Sequence, residues 1–335
     1  MNRAALAALA ALALALTAVV GVILWNGRDH GDGASAEPPA ADAELRAESR
    51  TEGLKANGIP GDDVGTGGAA GFVTGGPAQT PVELKLKRPP AAGILFDLDT
   101  GQVLWKRAAG RELPIASLTK MMTALLISEH HRFDERVLIS RRAAETHGSK
   151  LGVLPPGKKV RLKPLFYALI MASANDAAVA LAEHDARKVS RFVDRMNEEA
   201  RRLGLRCSHF STPSGLKNRG NHSCALDLAT LARADLADPR IARVAGTEEI
   251  SFPFPGKVGT LDLYNNHYFL SRGITGIPKA QVTGLKTGYT IEAGRCYVTT
   301  ARLGGRSLGV VVLDSLDPLG QVPELLRAGF GLDGT

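Results

Sequence analysis

The pattern of apolar and polar positions changes character several times along the chain. Ala4 to Trp25 carry no charged side chain and are mainly Ala, Leu and Val, which gives roughly 33 Å of helix, enough to cross a bilayer. From Asn26 to about Pro90, Gly, Ala, Pro and acidic residues follow without any sustained apolar period, the pattern of a tether. Alternating runs then begin. Ala92 to Leu98 and Gln102 to Lys106 read as strands joined by a turn at Asp99-Thr100-Gly101. After Pro114 the spacing becomes helical through Met121, Met122, Leu125 and Leu126, and further helices are expected over Leu165 to His184, Phe192 to Leu203 and Leu226 to Leu236. Strand patterns return at Cys296 to Ala301 and Ser307 to Leu313 around the Gly304-Gly305 turn, with a last helix near Val322 to Phe330. Strands, helices, strands and a closing helix predict an α+β fold, an antiparallel β-sheet flanked by helices plus a mainly helical subdomain.

The expected organisation is an N-terminal membrane anchor or signal segment (1–25), a flexible Gly/Ala/Pro-rich linker (26–90) and one folded domain (91–335). Arg3 precedes the apolar run, and Arg28 is offset by Asp29 and Asp32 beyond it, so the positive-inside bias places the N-terminus in the cytoplasm. The expected location is therefore the cell membrane, single-pass, with the folded domain extracytoplasmic. Cleavage near Ala34-Ser35-Ala36 would instead release a secreted protein.

The net charge of +7 does not change this picture, because basic and acidic residues are interleaved and no basic tract marks a nucleic-acid site. Three cysteines are too few for a disulfide scaffold. Cys207 and Cys224 nevertheless enclose a short loop that a bridge would stabilise by about 3 kcal/mol, while Cys296 lies in an apolar strand pattern and reads as a core residue. None of the eight histidines shows metal-ligand spacing, and no cofactor is expected.

Three short motifs carry candidate chemistry. Ser117-Leu-Thr-Lys120 puts a hydroxyl and an amine on one face at the start of a helix, where an uncharged lysine could take the serine proton. The same spacing recurs at Ser214-Gly-Leu-Lys217, but Pro213 and the internal Gly favour a surface loop there. Ser173-Ala-Asn175 interrupts a buried helical stretch, either as a functional polar group or as a turn capped by Ser or Asn. Lys286-Thr-Gly288 lies in a strand pattern, where a cation and a hydroxyl could hold a carboxylate and the Gly would admit a ligand backbone; a lone strand lysine is otherwise a solvated face.

The order Ser-x-x-Lys, Ser-x-Asn, Lys-Thr-Gly resembles the signature shared by class A β-lactamases and penicillin-binding proteins. Asp99 to Leu104, Ala116 to Leu126, Ser211-Thr-Pro-Ser-Gly-Leu216, Gly284 to Thr290 and Ala293-Gly-Arg-Cys296 narrow the resemblance to the D-alanyl-D-alanine carboxypeptidases, over about Ala92 to Phe330. The resemblance implies a β-lactamase/transpeptidase-like fold and a peptidoglycan stem peptide ending in D-Ala-D-Ala as substrate, with β-lactams as covalent inhibitors. It implies Ser117 as nucleophile, Lys120 as general base and Ser173 as proton relay. Asn175, Lys286, Thr287, Gly288 and Tyr289 would bind substrate, with the Ser117 and Tyr289 amides as oxyanion hole.

Relatives often carry a β-rich second domain and a C-terminal anchor. The short stretch after Gly288 implies a single domain here. The arginine expected between Leu313 and Glu324 to grip the substrate carboxylate has no counterpart, which leaves a cross-link-cutting DD-endopeptidase as the nearest alternative. A serine β-lactamase is disfavoured because no Glu-x-x-Leu-Asn segment lies between Asn175 and Lys286, Glu198 and Glu199 reading as a solvated helix face. A non-catalytic wall-binding module would not need all the motif residues.

Overall fold

The computed structural model describes residues 82–216, 220–256, 258–274, 277 and 281–332. Strands β1 (Ala92–Asp97) and β2 (Val103–Arg107) form the expected hairpin. Its turn is fixed by Asp97, whose Oδ1 accepts from the amides of Asp99 (3.1 Å) and Thr100 (2.8 Å). Short ladders pair β3 (Leu113–Pro114) with β6 (His222–Ser223), β4 (Arg136–Leu138) with β5 (Lys159–Arg161), and β7 (Glu249–Phe254) with β8 (Gly259–Tyr264). The sequence pattern gave no hint of the β7–β8 hairpin. Strands β9 (Gln281–Thr290), β10 (Gly294–Leu303) and β11 (Arg306–Ser315) complete a central antiparallel sheet of order β2-β1-β11-β10-β9.

Both faces of this sheet are covered, and the pleat sorts its side chains between them. Ile94, Phe96, Val311 and Leu313 join the larger core under the helical part, whereas Leu95, Val310 and Val312 pack with Val322, Leu325 and Leu326 on the other face. The adjacent strand runs therefore read as nearly continuous apolar stretches.

The helices are α1 (Thr119–His130), α2 (Arg141–Ala144), α3 (Leu162–Met171), α4 (Asn175–Ala186), α5 (Val189–Arg202), α6 (Ala225–Ala237), α7 (Pro239–Ala245), α8 (Tyr268–Arg272) and α9 (Pro318–Phe330). Every residue of α1 from Thr119 to Ser128 is buried, as expected of a helix apolar on all sides. The expected Leu165–His184 helix is two helices. They are separated at Ala172–Ala174, where Ser173 adopts φ +56°. Neither Ser173 nor Asn175 caps α4: the cap position is Ala174, without a side-chain bond. On α5, Glu198 is exposed but Glu199 is buried and bonded to Arg202 Nη2 at 2.5 Å, so only one of the two belongs to a solvated face.

The described end of the expected linker, 82–90, is packed rather than free: Trp105 Nε1 donates to Leu84 O (3.2 Å), Arg107 Nε donates to Pro90 O (2.9 Å), and Leu86 is buried. The single-pass membrane location, with its secreted alternative, is corrected. Among the described residues no helix is long and apolar enough to cross a membrane, and Ala4–Trp25 lies outside them.

Candidate active site

Ser117 lies in a single turn of 3-10 helix, Ala116–Leu118, that runs into α1, and Lys120 follows three residues later on the same face. The strand-to-helix junction is tight: Ala116 has φ +47°. Gly215 is pressed against it, such that a Cβ there would lie 1.9 Å from Ala116 O. Only glycine fits that contact.

Lys120 is fully buried, and its Nζ has three neighbours: Asn175 Oδ1 at 2.7 Å, the Ser214 carbonyl oxygen at 2.7 Å and Ser117 Oγ at 3.0 Å. The first two can only accept. An uncharged amine has two N–H bonds to give them, which leaves its lone pair for the Ser117 hydroxyl. Burial pushes the Lys120 pKa well down, the neighbouring Lys286 lowers it further, and Asp176 partly opposes both. The arrangement can therefore draw a proton from Ser117.

Asn175 is held in its role from both ends of its amide. Its Nδ2 donates to His147 O (3.0 Å) while Oδ1 faces Lys120, and its backbone N–H donates to Ser149 O (2.7 Å). Asp176 secures the same loop by accepting from the Leu151 and Gly152 amides, each at 3.0 Å. Ser173 stands two residues earlier, 5% exposed, in the bend between α3 and α4.

The third motif occupies β9, the edge strand of the sheet. Gly288 faces the nucleophile's backbone, and a Cβ on it would lie 3.0 Å from Ser117 N. Lys286 is buried rather than solvated, which lowers its pKa to about 7, and its Nζ donates to Thr287 O at 3.0 Å. Thr287 Oγ1 approaches Asn266 Oδ1 at 3.4 Å, and Tyr289 is 66% exposed at the strand's outer end. His267, beside this strand, is buried and neutral: burial foremost brings its pKa to about 4, and Lys286 adds to the depression.

Chain-distant segments thus meet around Ser117 and Lys120: the α1 start, the first residue of α4, the 211–216 segment and β9. The last but one was misjudged from sequence. Ser214 is buried, its carbonyl oxygen is a partner of Lys120, and Thr123 Oγ1 donates to Pro213 O at 2.7 Å, so 211–216 is a wall of the site and not a surface loop. Its role is carried by a backbone carbonyl, which no residue-type pattern reveals. Cys207 and Cys224 are disulfide-bonded, with Cα atoms 5.5 Å apart, and so close the segment that contains this wall. Cys296 is free and buried.

A half-buried serine beside a fully buried lysine at a helix start, facing the edge strand of an antiparallel sheet, is the arrangement of a base-activated nucleophile. The family model for D-alanyl-D-alanine carboxypeptidases, peptidase S11, matches residues 85–316, and the chain belongs to that family. It is 33% identical over 254 residues to the D-alanyl-D-alanine carboxypeptidase DacF of Bacillus subtilis, covering 73% of this chain but 63% of DacF. The chain thus spans less than two thirds of that relative. The crystal structure of a D-alanyl-D-alanine carboxypeptidase from Mycobacterium tuberculosis is similar with a TM-score of 0.67 at 30% identity, covering 80% of this chain and 97% of that one. Penicillin-binding protein D2 of Listeria monocytogenes in its ampicillin-bound form is similar at 0.63 and 26% identity, over 74% of this chain and all of that one.

Proposed function

We propose that the chain is a serine D-alanyl-D-alanine carboxypeptidase that removes the terminal D-alanine from peptidoglycan stem pentapeptides through an acyl-enzyme. The catalytic unit in this reading is residues 91–335. The observation that carries it is the 3.0 Å approach of a desolvated Lys120 amine to Ser117 Oγ.

Lys120 takes the Ser117 proton as Oγ attacks the penultimate D-alanine carbonyl. The stem peptide lies along β9, whose outer edge can accept an added strand. The developing oxyanion is held by the backbone N–H groups of Ser117 and Tyr289, where one donor is worth about 2.7–4 kcal/mol. Lys286 and Thr287 hold the terminal carboxylate, Asn175 bonds the peptide, and Ser173 passes the proton to the departing D-alanine. Water then attacks the ester and frees Ser117. β-Lactams enter by the same first step and remain as acyl-enzymes, in keeping with the ampicillin-bound relative.

The lack of an arginine between Leu313 and Glu324 supports a second reading, DD-endopeptidase action on cross-links with the same residues. Incubation with a defined stem pentapeptide separates the two. Release of free D-alanine is expected, and cleavage of cross-linked muropeptides without D-alanine release would replace the carboxypeptidase reading with the endopeptidase one.

A further inference from the structure

We propose that His131, Glu135 and His184 form a binding site for a divalent transition-metal cation of borderline softness, zinc foremost, at the ends of α1 and α4 remote from Ser117. His131 is the residue that closes α1, His184 lies in the last turn of α4, and Glu135 sits in the loop leading to β4. A single oxygen, Glu135 Oε2, lies 2.9 Å from His131 Nδ1 and 2.9 Å from His184 Nε2, and the imidazole centroids are 4.7 Å apart. The three ligand atoms are all within 4.8 Å of one another.

The surroundings aim these atoms at a common point. Glu135 Oε1 is occupied by the Arg132 backbone N–H at 2.7 Å, so Oε2 alone turns to the rings. The far nitrogen of His131, Nε2, is 3.1 Å from Asp185 Oδ1, and Asp185 is nearly inaccessible (1%) and ion-paired with Arg195 at 2.6 Å. A ring that gives its Nε2–H to a carboxylate presents a lone pair at Nδ1, and this outer carboxylate is the usual support of a metal-bound histidine. Between that nitrogen and Glu135 Oε2, 2.9 Å apart, either a proton or a metal ion can lie. One metal ion satisfies both imidazoles and the carboxylate together.

The dimensions suit zinc. Tetrahedral ligands at zinc distances stand about 3.3 Å apart, so the observed contacts need to open by only a few tenths of an ångström. The three side chains are between 15 and 32% exposed and can move that far. A cavity of about 570 Å³, lined in part by His130, His131, Asp185 and Arg195, borders the His131 side of the cluster, and water can take the fourth position. Two imidazoles with one carboxylate favour zinc, copper, nickel or cobalt over magnesium or calcium. His184 lies 49 positions from Glu135, so the local i,i+4 spacing of His131 and Glu135 does not reveal the set in the sequence.

The test is equilibrium dialysis of the chelator-treated full chain against zinc chloride, with bound metal measured by atomic absorption and melting followed by circular dichroism. Expected are one zinc ion per chain at micromolar free metal, a melting temperature that rises with zinc, and at least about tenfold weaker binding in both His184→Ala and Glu135→Gln. His222→Ala, at the separate stacked His209–His222 pair, should bind as the wild type does. The proposal is overturned if the wild type retains no zinc, if protons alone hold the rings, or if both cluster variants bind undiminished. Should His184→Ala unfold, the isosteric Glu135→Gln decides.

Discussion

The Ser214 carbonyl oxygen accepts a 2.7 Å hydrogen bond from Lys120 Nζ across 94 positions of sequence. With Asn175 Oδ1 it consumes both N–H bonds of an uncharged amine and turns the remaining lone pair to Ser117. A backbone atom in a disulfide-closed segment therefore helps to aim the base.

That dependence makes the bridge functional as well as structural. Cys207 and Cys224 are 17 positions apart, and loop closure of that length stabilises by about 3 kcal/mol. Replacing both by Ser should lower stability by about that amount. Acylation by a fluorescent penicillin should slow even at temperatures where circular dichroism reports a fully folded protein. An acylation rate equal to wild type there would separate the bridge from the site.

The pH dependence of acylation follows from two buried lysines. Lys120 must be unprotonated to act, so the rate rises with pH as its lowered pKa is passed. Lys286 must be protonated to attract a carboxylate, so the rate falls above about pH 7. Lys286→Met should slow acylation, remove the alkaline limb and shift the acid limb to higher pH, because a cation depressing Lys120 is gone. Acylation rates measured across the pH range check both limbs.

The same lysine should cost stability. Its folded pKa of about 7 lies below its ordinary 10.5, so between those values the unfolded chain binds more protons and stability rises with pH. Below pH 7 the buried charge is present in full. Lys286→Met should therefore stabilise the fold by about 1–4 kcal/mol under those conditions, with a gain that shrinks as pH rises toward 10.5. Thermal melts at acid and alkaline pH measure it.

Gly215→Ala is expected to be severe. The added methyl would meet Ala116 O at 1.9 Å, and the backbone sits at φ +76°, so the cost should reach or exceed the upper end of the roughly 1–3 kcal/mol seen for overpacking. Gly288→Ala meets Ser117 N at 3.0 Å and should cost less stability while still slowing acylation. Melting temperatures and labelling rates of the two variants rank them.

Much of this was legible in the chain. Periodicity located the β1–β2 hairpin and the late strands, and the motifs marked Ser117, Lys120, Asn175 and Gly288, which the fold brings into mutual contact. What remained hidden was carried by atoms or distances without a residue code. Ser214 contributes a carbonyl, Gly215 contributes the absence of a side chain, and Glu199 is buried by packing against Arg202 on a helix whose pattern read as solvated. The polar Ser173-Ala-Asn175 triplet marks the interruption between the two helices, but apolar residues continue on both sides of it, so neither the positive φ of Ser173 nor the uncapped start at Ala174 is legible from the period.

The central claim is that Ser117 is a nucleophile activated by an uncharged Lys120. Its most direct test is peptide-level mass spectrometry after incubation with benzylpenicillin. The expected result is one covalent penicilloyl adduct, on Ser117, absent from Ser117→Ala and formed about 10²–10⁴-fold more slowly by a folded Lys120→Met. An adduct on any other residue, or undiminished labelling of Ser117→Ala, would contradict the account.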